Sequence, residues 1–245
     1  GKPVFVDIDP NTCNIDPFKI KQAISKKTKA IVVVHYAGVS CDMDPIVEIA
    51  NQHKLYLIED AAQAILSTYK GKPLGSIGDL ATLSFHETKN IHCGEGGALL
   101  INNPKFIKRA KVLRDKGTNR DLFNQNMVKK YSWVDYGSSY GLSEINAAFL
   151  YSQLKQAKKI IKKRIDIFNE YHQKLKSLEI KKFIKSPSTP KYAKHNGHIY
   201  YLIVRNNQRT KLIKYLKQKK INTVFHYIPL HNSPFGKKKQ LLNQI

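Results

Sequence analysis

Short apolar runs that alternate with helix-start signals limit the fold of this chain more than any other feature. Val4-Phe5-Val6, Ala30-Ile31-Val32-Val33-Val34, Leu55-Tyr56-Leu57-Ile58 and Ala81-Thr82-Leu83-Ser84-Phe85 are β-branched or aromatic and too short for helices, so they read as buried strands. Between them, residues 17–25 and 45–53 read as helices, each with Pro near its first turn and an Asp just before it, Asp16 and Asp44. Repeated strand-helix alternation implies an α/β fold built on a mostly parallel sheet covered by helices. Ligands of such sheets gather beyond the C-terminal strand ends. The third run leads there into Glu59-Asp60-Ala61-Ala62-Gln63, and the fourth into Ser84-Phe85-His86-Glu87-Thr88-Lys89-Asn90.

The remainder divides in two. Residues 68–74 carry turn formers and read as an excursion between strands. Gly97-Ala98-Leu99-Leu100-Ile101 reads as a further strand, followed through Asn102-Asn103-Pro104 by a helix to about Lys116. Ser143 reads as an N-cap with Asn146 instead of Glu at the third position, an incomplete capping box. From Glu144 one long helix toward Leu178 is expected to lead into a smaller C-terminal α+β domain, with strands at 199–204 and 222–225 around a helix at 209–219. Residues 1–143 then form part of a large domain, and 144–245 the linking helix and part of a small one.

Forty-two per cent hydrophobic residues over 245 positions support a sizeable core. No apolar run is long enough to span a bilayer, and no charged-then-apolar leader is seen, so a soluble cytoplasmic protein without a membrane partner is expected. Cys13, Cys41 and Cys93 fit neither a disulfide framework nor a zinc template, and no metal is expected. The net charge of +24 is uneven: residues 1–100 hold 10 Lys/Arg against 11 Asp/Glu, and 101–245 hold 32 against 7. Such an excess raises nucleic acid as a partner. Without a nucleic-acid motif, solvated lysine-rich helix faces such as residues 155–164 are the better reading. Gly94-Glu95-Gly96-Gly97 precedes no Gly-Lys-Ser/Thr, which argues against a triphosphate cradle.

An acid at a strand end and a lysine in a polar turn are what pyridoxal 5′-phosphate requires: an amine for a Schiff base, and a carboxylate that keeps the ring nitrogen protonated. Alone the pair is weak, since strand-end acids and loop lysines are common. Its surroundings make it specific. Glu59-Asp60-Ala61-Ala62-Gln63, Leu74-Gly75-Ser76-Ile77-Gly78-Asp79, the Ser84 to Asn90 run and Gly94-Glu95-Gly96-Gly97 resemble, in order and spacing, the DegT/DnrJ/EryC1/StrS family of sugar aminotransferases. The resemblance runs over residues 1–236. Arg114-Asp115-Lys116-Gly117-Thr118-Asn119-Arg120, Gly137-Ser138-Ser139-Tyr140 and Phe225-His226-Tyr227-Ile228-Pro229-Leu230-His231 are most similar to the members that make dTDP-4-amino-4,6-dideoxygalactose.

The resemblance implies a fold-type-I pyridoxal phosphate transferase. Lys89 would be catalytic, holding the cofactor as an internal aldimine and carrying the transferred proton. Asp60 would face the pyridinium nitrogen, Gln63 the ring or its phenolic oxygen, and Ser84 the phosphate. Ser139 stands where many members place an asparagine that reaches the cofactor of a neighbouring subunit, which implies a homodimer. His35, Tyr36, His86, Tyr227 and His231 are expected near substrate, His226 is a weaker candidate, and Arg114 and Arg120 are candidates for the donor carboxylate. The bland readings stay open: Asp60 as a cap, Gln63 satisfying backbone, Ser84 capping its own turn, His86 structural. The implied reaction transfers the amino group of L-glutamate to dTDP-4-dehydro-6-deoxy-glucose, for surface polysaccharide such as lipopolysaccharide or enterobacterial common antigen. The alternatives are another nucleotide keto-sugar, 3-keto or GDP-linked, or a non-catalytic basic remnant; a dehydratase is disfavoured because those members replace the lysine with histidine. Against the family the chain is expected to lack roughly a hundred N-terminal residues and a shorter C-terminal segment.

Overall fold

The computed structural model describes residues 1–205 and 207–239. Helix α1 (Pro17–Ala23) starts where Asp16 accepts the backbone N–H of Phe18, and leads to strand β1 (Ala30–Val34). Helix α2 (Met43–Gln52) is followed by β2 (Tyr56–Asp60), a hairpin of β3 (Thr68–Tyr69) and β4 (Lys72–Pro73), then β5 (Leu80–Ser84) and β6 (Gly97–Ile101). The main sheet has the order β1-β2-β5-β6, parallel except for β6. Val34 pairs with Asp60 and Asp60 with Thr82, so the C-terminal ends of the parallel strands lie level.

One face of this sheet carries the core. Ile31 and Val33 of β1 and Leu57 of β2 pack against Ile20 of α1 and Met43, Ile46, Ile49 and Ala50 of α2. The α2 residues recur at helical spacing on a single face. Val32 and Val34, pointing the other way, are about half exposed. The strands therefore alternate instead of being buried on both faces as the apolar runs imply.

Two expected elements of this half are corrected. Residues 4–6 form no strand, and Val4 is exposed. Helix α2 begins two residues early, so Asp42 occupies the cap position and Asp44 lies in the first turn. Tyr69 fixes this end by donating to Asp42 and accepting from the Asp44 N–H.

The second half begins with α3 (Ile107–Arg114), α4 (Arg120–Asn124), α5 (Glu144–Lys155) and α6 (Ala157–Ile180). Ser143 caps α5 by accepting the Asn146 N–H, but the expected long helix is broken at Gln156, whose backbone turns out of helical geometry. Leu150 and Ala157, on either side of that break, pack on Phe85, Ile91 and Cys93. Short strands β7 (Ile184–Lys185), β8 (Ala193–Lys194) and β9 (Ile203–Val204) follow, then α7 (Arg209–Gln218) and α8 (Pro234–Lys238). Of the run 199–204 only β9 is a strand, and 222–225 forms none. Strand β8 pairs with β3, tying the C-terminal half to the hairpin. Among the described residues no helix is long and apolar enough to cross a membrane.

Candidate functional site

The site's foundation is Glu59. Its carboxylate is wholly buried and accepts from the backbone N–H of Gly75 (2.8 Å), Ile77 (2.7 Å) and Gly78 (2.7 Å) and from Nε2 of His35 (3.0 Å). The Cys41 N–H donates to Nδ1 of His35 (3.2 Å), which puts the ring proton on Nε2. Burial opposes ionisation of Glu59, but His35 and the Gly78, Gly75 and Ile77 amides outweigh it and hold the carboxyl below its usual range. His35 is thus 0% exposed with both nitrogens hydrogen-bonded, and it braces the strand ends.

Asp60, the next residue along β2, turns toward the opposite face. Its Oδ1 accepts the Ala62 N–H (3.0 Å), and its backbone oxygen accepts the His35 N–H. Among the described residues Oδ2 has no hydrogen-bond partner. Gln63 accepts the Ala37 N–H through Oε1 (2.6 Å), where Ala37 adopts a left-handed φ of 57°. That contact leaves the two amide protons of Gln63 as donors.

The lysine-bearing turn is pinned on both sides. Phe85 donates its N–H to Gly96 and accepts that of Cys93, and Glu87 donates to Gly94. Ser84 Oγ accepts the His86 N–H (3.3 Å), the turn-capping alternative, while its own proton stays available to an anion. The Lys89 N–H bonds to the His86 carbonyl (2.9 Å). His86 is held by Thr88 through Nδ1 (2.9 Å) and faces Glu95 through Nε2 (3.4 Å), so both nitrogens serve the turn.

Residues from the second half close over this turn. Asn90 is buried; its Nδ2 donates to the Asn196 carbonyl (3.0 Å) and its Oδ1 accepts from His198 Nδ1 (2.8 Å). Asn196 donates to the carbonyls of Gln63 and Ile65, both at 2.9 Å. Arg164 of α6 donates to the carbonyls of Gly197 and His198. Burial, then the positive groups of Lys89, Arg164 and His226, push the His198 imidazolium down to about 4. Burial and Lys89 also lower His226. Tyr36 and His226 share a short hydrogen bond (2.6 Å), and burial raises the Tyr36 phenol to about 12.

The fold therefore brings Tyr36, Asp60, Gln63, Ser84, His86 and Lys89 to one edge of the sheet. Tyr227 stacks on His226, is largely exposed and has a φ of 45°. His231 lies against the Phe5 ring (5.8 Å). Ser139 pairs with Asp115 on an exposed segment. Glu59, Asn196, His198 and Arg164 were not identified as site residues from sequence; the polar stretch His195-Asn196-Gly197-His198 just before an apolar run is the signal that marks two of them.

Comparison with known proteins extends these observations. The sequence pattern of the DegT/DnrJ/EryC1/StrS aminotransferase family matches residues 1–244. An uncharacterized protein of Methanocaldococcus jannaschii is 41% identical over 245 residues, 97% of this chain and 63% of that protein. GDP-perosamine synthase of Caulobacter vibrioides is 36% identical over 240 residues, 95% of this chain and 61% of that enzyme. Among solved structures, Spr1654 of Streptococcus pneumoniae superposes in its PLP form with a TM-score of 0.86 at 26% identity, covering 97% of this chain and 64% of that one, and in its PMP form with a TM-score of 0.88. The chain spans about three-fifths of the length of the curated relatives it matches.

Proposed function

This chain belongs to the DegT/DnrJ/EryC1/StrS aminotransferase family, and on that premise we propose that it transaminates a nucleotide-linked keto-sugar with pyridoxal 5′-phosphate, Lys89 being the catalytic amine. The observation that carries the reading is the placing of a carboxylate and an amine beyond the same end of adjacent strands: Asp60 closes β2, and Lys89 follows β5.

The donor set suits the cofactor. Among the described residues Asp60 retains an unpartnered carboxylate oxygen for a ring N–H, Gln63 retains amide protons for a phenolate, and Ser84 retains a hydroxyl proton for a phosphate oxygen. When bound, the cofactor supplies an aldehyde carbon and a protonated ring that draws electrons from the carbon losing its proton. Lys89 Nζ would hold that carbon in the resting enzyme. Once displaced by the donor's amino group, it would be the free amine that moves the proton at the donor's α-carbon, and the same amine would serve the acceptor sugar in reverse. His226 feels the charge of Lys89, is bonded to the Tyr36 hydroxyl and stacks on Tyr227, which suits these three rings to the substrate side of the site; His86 shapes the turn.

The proposed pair of substrates is L-glutamate and dTDP-4-dehydro-6-deoxy-glucose, with dTDP-4-amino-4,6-dideoxygalactose as product. The late Phe225 to His231 run and Ser139 support this choice by resemblance. A GDP-linked sugar is the second reading, favoured by the 36% identity to GDP-perosamine synthase. The active unit is proposed to be a homodimer with Ser139 reaching the neighbouring site. Exposure of Trp133, Tyr136, Tyr140 and Ile145 around Ser139 supports an apolar contact there.

Isotope transfer tests the proposal. The intact protein, given ¹⁵N-glutamate and the dTDP- and GDP-linked 4-keto sugars in turn, is expected to place ¹⁵N on the dTDP sugar. Transfer to the GDP sugar alone selects the second reading, and transfer to neither removes both.

A further inference from the structure

We propose that His198 is a positioning residue for Lys89, acting through the side chain of Asn90. The lysine has four rotatable bonds, and its backbone is held by one hydrogen bond to His86, so its direction depends on what fixes the residue beside it. That residue is Asn90, and its orientation is dictated by chemistry. The Asn196 carbonyl only accepts, so the amide nitrogen of Asn90 must face it at 3.0 Å, which turns Oδ1 toward His198 Nδ1 at 2.8 Å. Because Oδ1 only accepts, Nδ1 of His198 carries the proton.

His198 is itself fixed from three directions. Its N–H donates to Asn196 Oδ1 (3.1 Å), its carbonyl accepts from Arg164 Nη2 (2.8 Å), and Asn196 is tied to the carbonyls of Gln63 and Ile65. The loop runs from the turn after β2, through residues 196–198, to the lysine turn. It joins the Asp60 side of the site to the Lys89 side without passing through the sheet. Asn196 is fully buried and His198 nearly so, which excludes water from substituting for these bonds. With Lys89, Arg164 and His226 as its charged or titratable neighbours, the ring stays uncharged and donates from Nδ1 alone.

The inference rests on the reading of Lys89 as the catalytic amine, but its test does not require the loaded enzyme. In cofactor-free intact protein, the rate at which trinitrobenzenesulfonate modifies Lys89 is followed by peptide mass spectrometry across pH for wild type, His198→Asn and His198→Gln. The asparagine amide nitrogen falls close to the position of Nδ1, whereas that of glutamine lies one bond farther out. His198→Asn is therefore expected to follow wild type, and His198→Gln to react faster by about fivefold, the factor for one lost hydrogen bond. The same His198→Gln protein is expected to develop its pyridoxal phosphate absorbance more slowly than His198→Asn. Equal labelling rates in both variants and wild type, with unchanged circular dichroism, overturn the proposal. Loss of the fold in His198→Gln is met by Asn90→Asp, which keeps the acceptor for Nδ1 and loses the donor to Asn196; wild-type labelling there supports the His198 link, and labelling about fivefold faster than wild type counts against it. Absence of any Lys89-dependent absorbance in wild type defeats the functional reading instead and leaves the labelling comparison standing.

Discussion

The pleat of β2 gives its two terminal carboxylates different work. Glu59 turns into the core, where burying a charge is tolerable only because four donors surround it. Asp60 turns to the other face, where among the described residues its Oδ2 has no hydrogen-bond partner. Glu59→Gln is expected to cost about 3 kcal/mol or more in urea unfolding, because the new amide nitrogen must face an N–H donor. The folded carboxyl lies below its unfolded value, so its stabilisation is present above the unfolded value and is lost as pH falls through the folded one. The wild-type acid limb should be steeper than that of Glu59→Gln. His198 acts higher on the scale. Its imidazolium is pushed from 6.5 down to about 4, so the unfolded chain binds a proton that the folded one does not. Stability should fall as pH drops from 6.5 toward 4, by an amount on the order of 3 kcal/mol, and His198→Asn should lose that slope. A melting curve taken at each pH decides it.

Among the elements, connections carry more of the site than the strands do. Gly38 has a φ of +80°, and a Cβ there would lie 2.1 Å from Asn196 Oδ1 and 2.9 Å from the Gln63 carbonyl. Gly38→Ala should therefore strain the backbone and displace the Asn196 clamp together, lowering the urea midpoint while also speeding Lys89 labelling. Were midpoint and labelling both unchanged, the clamp would not depend on that close approach. The central strands were legible in the sequence because β-branched runs bounded by turn formers have little alternative, as in Ala30–Val34. The Ser143 cap was legible from a serine ahead of a helical pattern. The break at Gln156 was not, because no Gly or Pro marks it; packing of Leu150 and Ala157 on Phe85 and Ile91 sets the angle there. Val4-Phe5-Val6 has strand composition but forms only an isolated bridge, at Phe5. The lysine turn and Asp60 stood out through resemblance. The clamp did not, since Asn90 and His198 are 108 positions apart and pair only once the chain is folded.

At the scale of the whole molecule, the excess positive charge lies in residues 101–245, where α6 and α7 present many lysines to solvent. The same half exposes Trp133, Tyr136, Tyr140, Ile145 and Tyr151, more aromatic surface than solvent contact explains. If that face joins two copies around Ser139, Tyr136→Glu with Tyr151→Glu should convert a dimer to a monomer in sedimentation velocity and weaken cofactor retention. An unchanged sedimentation coefficient would remove this face from the contact. The central claim is that Lys89 is the amine at which the chemistry occurs. Its most direct test is the absorption spectrum of the intact protein with pyridoxal 5′-phosphate, compared with Lys89→Ala and then exposed to glutamate. The account predicts a visible band that Lys89→Ala lacks and that glutamate bleaches with release of 2-oxoglutarate; an identical band in Lys89→Ala, or one that glutamate leaves untouched, would contradict it.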